Sequence, residues 1–274
     1  VAPRPRLASY SADELGALAR AHLAALGLDR WRVEIDPHLL SVLKVETATR
    51  LVQIKAGIRF DDLDVVSLLR HEIEGHAVRA ANGAALGHDV LATGVGDEVE
   101  LDEGIAVHLE ECHGGLVGRR ALEVFARVVA ADAALRGSFA DAYDAVEEIA
   151  PAIGPDLLFQ MVARVKRGLA DTAAPGGWPK DAQYFLGWRK VRALMGAAGR
   201  AGGEAARAAA WARLMRARVS WRGLDAVAEL AEEIARARGG VAPPTIAAPV
   251  PRPADAGAED DATVAGVVPL LPRG

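Results

Sequence analysis

The sequence predicts an α+β protein that is mainly helical, with one small β-sheet and a helical C-terminal half. Three observations carry that expectation. Apolar residues recur at helical spacing along most of the chain. Only two short segments alternate like strands. The 274 residues are 51% hydrophobic but 5% aromatic, and 57 of them are alanine, so the core is built of Ala, Leu and Val, which favours helices.

Taken in order, the first helix is expected over 12–26, with Ser11 and Glu14 placed as a capping box. Trp31 to Asp36 alternates as a strand that Asp36-Pro37 breaks, and Thr49 to Ile58 is a second strand ending near Gly57. From Asp61, the residues Leu63, Val66, Leu69 and Ile73 recur at helical spacing as far as a stop at Asn82-Gly83. A Gly-rich connection leads to a helix over 98–113, ended by Gly114-Gly115. Further helices are expected over 116–136, 139–150, 156–170, 182–198, 204–219 and 224–238, with loops at 151–155 and 175–179. Beyond residue 239 there are seven of the fourteen prolines and no helical period. Residues 1–238 therefore read as the folded domain and 239–274 as a flexible Pro/Ala-rich tail.

Composition removes several classes. No apolar run reaches the ~18 residues of a membrane span, and Val1 to Tyr10 lacks the apolar centre of a signal peptide. Cys112 is the single cysteine, which excludes an internal disulfide framework and a Cys-rich zinc site. A reducing, cytoplasmic setting is the simplest expectation. Charge is uneven: 60–111 holds 13 acids against 2 arginines, and 189–222 holds 9 basic residues against one acid. Solvated helix faces explain this more plainly than a nucleic-acid surface, for which no motif is present. Neither nucleic acid nor membrane is an expected partner, and nothing in the residues sets an oligomeric state.

The histidines are clustered, five of the seven lying within residues 71–113. His71-Glu72-Ile73-Glu74-Gly75-His76 reads HExxxH. On a straight α-helix, residues five apart are separated by about 140°, too wide for both imidazoles to reach one ion. A π-bulge absorbs the additional residue and brings both rings to one side, and Gly75 has the backbone freedom to help. Two unrelated histidines on an amphipathic helix would look the same. Glu103, 27 residues after His76 in the next helix, supplies a third oxygen donor, and His2Glu is a known catalytic zinc set with an open fourth position. Glu72, beside a ligand, would then be the general base. His88 reads as a surface residue, and His108 as a neighbour of the ligands at most. Glu110 and His113 form an E-x-x-H pair, but a di-iron bundle needs that motif twice.

With those residues in place, HEIEGHAVRAANG followed by LDEGIAVHLEE resembles the HExxxH and (T/Q)EGLA motifs of the MATCAP-like zinc metallopeptidases, the QEGLA-motif tyrosine/phenylalanine carboxypeptidases. Arg164 to Gly187 (RVKRGLADTAAPGGWPKDAQYFLG) resembles a third motif of that family, RxKRGLxDTxxPGxxxKDxxYLxG. The resemblance spans residues 31–192. It implies a gluzincin-like domain with one zinc ion, holding His71, His76 and Glu103 as ligands and Glu72 as the catalytic glutamate. It also implies Tyr184 as a donor to the oxyanion. The implied reaction is hydrolysis of the last peptide bond of a peptide or protein C-terminus, with terminal Tyr or Phe preferred. Such an enzyme must neutralise the substrate's terminal carboxylate, for which Arg164, Lys166, Arg167 and Lys180 are the candidates; Arg167 and Lys180 could equally tie down the Gly/Pro loop. Asp102, Leu101 and His108 depart from the residues usual in the family, which puts the substrate pocket in question rather than the metal. A chain of this size has no room for the extensions of eukaryotic members, so tubulin is not the expected substrate. Two alternatives stay open: a catalytically weak regulatory or binding protein on the same fold, and an endo- or aminopeptidase using the same zinc chemistry.

Overall fold

The computed structural model describes residues 9–247, 250 and 251, so part of the expected tail (248–249 and 252–274) lies outside the described residues. Strand β1 (Tyr10–Ser11) runs directly into helix α1 (Ala12–Ala25). The capping box forms as expected: the Ser11 hydroxyl accepts from the Glu14 amide, and the Glu14 carboxylate accepts from the Ser11 amide at 2.7 Å. β2 (Arg32–Asp36), β3 (Leu43–Glu46) and β4 (Leu51–Lys55) form a sheet of order β2-β4-β3, β4 parallel to β2 and antiparallel to β3. The second expected strand is thus shorter than residues 49–58. It ends at the Ala56-Gly57 turn, where Gly57 has φ 76°, and β5 (Arg59–Phe60) turns away to pair with β1. β3 escapes the sequence reading because Leu43–Glu46 is an edge strand too short to show a period.

Residues 62–84 make one continuous helical run in three parts. α2 (Asp62–Leu68) leads into a π-helical segment, Leu69–Ala77, and α3 (Val78–Ala84) resumes the α geometry. The Val78 amide donates to the Ile73 carbonyl five residues back, as a π turn requires. α4 (Asp89–Thr93), unforeseen in the sequence, precedes α5 (Val99–Cys112), which is buried along most of its length. α6 (Gly118–Arg136), α7 (Phe139–Ile149) and α8 (Pro155–Lys166) pack as a three-helix unit whose core is alanine-rich (Ala126, Ala130, Ala131, Ala134, Ala142). A 3-10 turn, Pro179–Ala182, opens α9 (Gln183–Leu214), which breaks at Gly202 and Gly203 where two separate helices were expected. A further 3-10 turn, Trp221–Gly223, precedes α10 (Leu224–Ala237). No helix among the described residues is long and apolar enough to cross a membrane.

The main core joins α1, the sheet, the π segment, α5 and both halves of α9. A smaller cluster of Val107, Val124, Phe185 and Trp188 connects α5 and α9 to α6 of the three-helix unit. Beyond α10 the described residues form no helix or strand, but they are not loose: Ile246 and Val250 pack on the main core, and buried Asn82 pairs with both backbone groups of Ile246.

α5 is the axis of this arrangement, and glycines let its neighbours approach. A Cβ on Gly104 would fall 2.3 Å from the Gly187 carbonyl carbon, and one on Gly187 would fall 1.8 Å from the Glu100 oxygen. α5 and α9 therefore cross backbone against backbone. Gly75 serves the π segment in the same way: a Cβ there would lie 2.9 Å from the Ala106 side chain. Its φ is not positive, so its contribution is close approach to α5 rather than the backbone freedom expected from the sequence. Gly104→Ala should destabilise the fold by about 1–3 kcal/mol, since backbone atoms cannot move aside as a side chain can. A chemical-denaturation midpoint unchanged from the parent would refute the close crossing.

Candidate metal centre

The π segment places His71 and His76 on one side of the helix, ring centroids 5.1 Å apart. Across from them on α5, Glu103 Oε2 lies 3.4 Å from His71 Nε2 and 3.6 Å from His76 Nε2. That oxygen is buried and has no hydrogen-bond partner. An unsatisfied carboxylate oxygen facing two ring nitrogens is unfavourable unless a positive charge, a bound cation or a protonated ring, sits among them. His71, Glu72 and His76 also bring one ligand atom each to within 4.8 Å of one another. The donor set, two imidazole nitrogens and a carboxylate oxygen, is one that suits zinc.

The outward ring nitrogens are fixed. His71 Nδ1 meets Glu110 Oε1 at 2.6 Å, and His76 Nδ1 meets Asp102 Oδ2 at 2.7 Å. With Nδ1–H donating outward, each Nε2 is left to face Glu103. Both carboxylates are in turn held by arginines. Arg120 grips Glu110 through two hydrogen bonds of 2.8 and 2.7 Å, and Asp102 accepts from Arg79 and from Arg218 at 2.8 Å. Arg79 is fully buried and also donates to the carbonyls of Leu214 and Ala217, tying this network to the end of α9. Burial raises the Asp102 and Glu110 carboxyl pKa values, but the cations around them prevail. Asp102 is held far below the usual range and Glu110 is lowered to about 2.

Sequence reasoning missed these supporting carboxylates. Asp102 stood out only as a departure from a motif, and Glu110 only as half of an E-x-x-H pair. Glu110 turns to His71 and Arg120, while His113 Nδ1–H donates to the Leu109 carbonyl. A signal was available: positions 103 and 110 are two helical turns apart, so Glu110 had to share the face of α5 that carries Glu103. His108 lies elsewhere, hydrogen-bonded to Glu111 at 3.0 Å, and is no neighbour of the two imidazoles; His88 is exposed.

Glu72 is half-buried beside the two histidines. Burial raises its pKa, assisted by Glu103 and Glu110, and the two imidazoles only partly reverse the shift. The Tyr184 ring stacks on His71 at 6.1 Å, and burial holds its phenol well above its ordinary pKa, so it stays a donor. The basic candidates divide. Lys180 Nζ lies 3.7 Å from Glu103 Oε1, at the site. Arg164 is clamped by Asp181 at 2.6 and 2.9 Å, and exposed Arg167 lies over the Trp178 ring, 4.1 Å from its centroid. Lys166 corrects the expectation made for it. Its ammonium is buried and donates to the carbonyls of Ala134, Gly137 and Ala174, so all three of its N–H groups are committed to holding the 167–174 loop.

The comparison with known families decides what this assembly belongs to. The model of the microtubule-associated tyrosine carboxypeptidase family matches residues 2–248. The chain belongs to that family. The match takes in the whole histidine–carboxylate network, α9 with Tyr184, and the Ile246 contact with Asn82. No curated protein matches the chain. Membership in a family of carboxypeptidases makes hydrolysis of a C-terminal peptide bond the general activity, and a C-terminus the general substrate class.

The buried rings also set a pH response. Burial disfavours their charged forms, but Glu103 and Glu110 around His71, and Asp102 and Glu103 around His76, raise their pKa values to about 9 and about 10. Unfolded histidine titrates near ~6.5. The stabilisation is therefore complete below that pH and is lost as pH climbs through 9 to 10. Thermal melts of chelator-treated protein between pH 6.5 and 10 should show Tm falling with pH, less steeply in His76→Gln. Equal slopes for the two would exclude this linkage.

Proposed function

We propose that the chain is a zinc-dependent carboxypeptidase that removes the last residue of a peptide or protein, with a terminal tyrosine or phenylalanine preferred. The observation that carries the metal is the buried, unpartnered Glu103 oxygen facing two imidazoles whose outward nitrogens are already engaged. His71 Nε2, His76 Nε2 and Glu103 Oε2 would hold one zinc ion, in a gluzincin-like arrangement. When bound, zinc acts as a Lewis acid, polarising a carbonyl and making a water easier to deprotonate.

The chain's own groups supply the proton transfers. Glu72, a carboxylate whose pKa is raised toward the working range, takes a proton from the attacking water. As the C–N bond breaks, Glu72 gives that proton to the departing amine of the terminal residue. Tyr184, stacked on His71 and held protonated, donates a hydrogen bond to the oxyanion that forms on the carbonyl. The arginine-backed carboxylates keep both imidazoles oriented and exclude water from their outward sides. The family's name associates it with microtubules and with tyrosine. For this chain the terminal residue is the firmer part of that association, because it depends on a pocket rather than on a large docking surface.

Two measurements test this. Glu72→Gln should lower kcat by at least about 100-fold, on the scale of general acid–base catalysis, while zinc measured by mass spectrometry stays near one ion per chain. Turnover retained by a zinc-replete variant would sink the role of Glu72. Peptides differing only in their last residue, incubated with the zinc-loaded parent, should lose that one residue, Tyr and Phe fastest. Internal fragments or N-terminal trimming would instead favour the endo- or aminopeptidase reading.

A further inference from the structure

Three guanidiniums lie around Tyr184. Arg120 and Arg127 are seven residues apart on one face of α6, and Arg164 approaches from α8; all three interact electrostatically with the Tyr184 phenol. Arg120 and Arg164 each have a carboxylate of their own, Glu110 and Asp181, gripped through two hydrogen bonds. Arg127 has none. Its Nε is shielded from solvent without a hydrogen-bond acceptor, and its guanidinium carbon lies 5.1 Å from the Tyr184 ring centroid. Burial and the neighbouring Arg120 cation both lower its pKa, with Tyr184 and Asp181 opposing. An uncompensated cation of this kind is unfavourable in the protein alone and favourable for an incoming anion.

The ligand it suits follows from its shape and place. A guanidinium presents a planar fork of donors that matches a carboxylate. Tyr184 lies between the histidines and Arg127, stacking on His71 and contacting the guanidinium. The other basic groups near the site are engaged: Arg164 by Asp181, Lys166 by three carbonyls and Lys180 by Glu103. We propose that Arg127 receives the terminal α-carboxylate of the substrate, and so fixes the last peptide bond, rather than an earlier one, beside Glu72. This deepens the carboxypeptidase reading and rests on it.

Binding tests the proposal without turnover. A fluorescent peptide ending in tyrosine, as the free acid or the C-terminal amide, is titrated into zinc-supplemented Glu72→Gln protein and followed by anisotropy. The acid should bind about 10- to 100-fold more tightly than the amide, the range for a hydrogen-bonded charge pair. Adding Arg127→Gln should weaken the acid by that factor, leave the amide unchanged and bring the ratio close to one. Arg127→Lys should restore part of it. The Tm of the Arg127→Gln protein should match or exceed the parent's, because an unpaired, half-buried cation is removed. An acid preference that survives Arg127→Gln overturns the assignment and leaves the carboxypeptidase reading standing. Equal weakening of both peptides with a lowered Tm overturns it in favour of a structural role. Indifference to the carboxylate in the Glu72→Gln protein itself overturns both.

Discussion

Two histidines five residues apart can face one point only where a helix is widened, and a widened helix has to be held by what surrounds it. π geometry gives a poorer fit of backbone hydrogen bonds than α geometry and rarely persists for long. Here it runs from Leu69 to Ala77, and α5 lies along it with Gly75 set against Ala106. The same helix presents Glu103 to the two rings and, through Gly104, lets α9 come close enough to bring Tyr184 beside His71. Fixing the π turn, placing the third oxygen and docking the tyrosine are therefore one packing problem, solved by small residues where the π segment, α5 and α9 meet.

Around that geometry the charges are layered. Imidazoles face Glu103, carboxylates stand behind the imidazoles, and arginines stand behind the carboxylates. Each layer compensates the one inside it, which is how several ionised groups remain in a region sheltered from water. Arg79 and Arg218 come from segments far apart in the chain and both close on Asp102, so the orientation of His76 depends on α3 and on the turn after α9 together.

Local chemistry was legible in the sequence. The Ser11 capping box, the π turn demanded by HExxxH, the break at Gly202-Gly203 and the helical C-terminal half all follow from neighbours within a few residues of one another. The residues gathered at the site, His71, Glu72, His76, Glu103 and Tyr184, were also marked in advance, though only the resemblance gave Tyr184 its role. What stayed hidden depends on partners distant in the chain. The Asp102–His76 and Glu110–His71 contacts join residues 26 and 39 positions apart. Lys166 looked available because its three carbonyl acceptors lie on loops and helix ends that no periodicity describes. Arg127 could not be told from 26 other arginines, since what distinguishes it, a shielded and unpartnered Nε beside the Tyr184 ring, exists only in three dimensions.

The Asn82 clamp bears on where the domain can be shortened. Asn82 donates to the Met215 and Ile246 carbonyls and accepts from the Ile246 amide, inside the main core and on the helical run that carries His76. A cut after residue 238, where composition turns to proline and glycine, would strip that strap from the core and leave the Asn82 amide without two of its three hydrogen bonds. Any truncation therefore has to keep the chain at least through Val250, because Ile246 and Val250 cover the core behind the histidines.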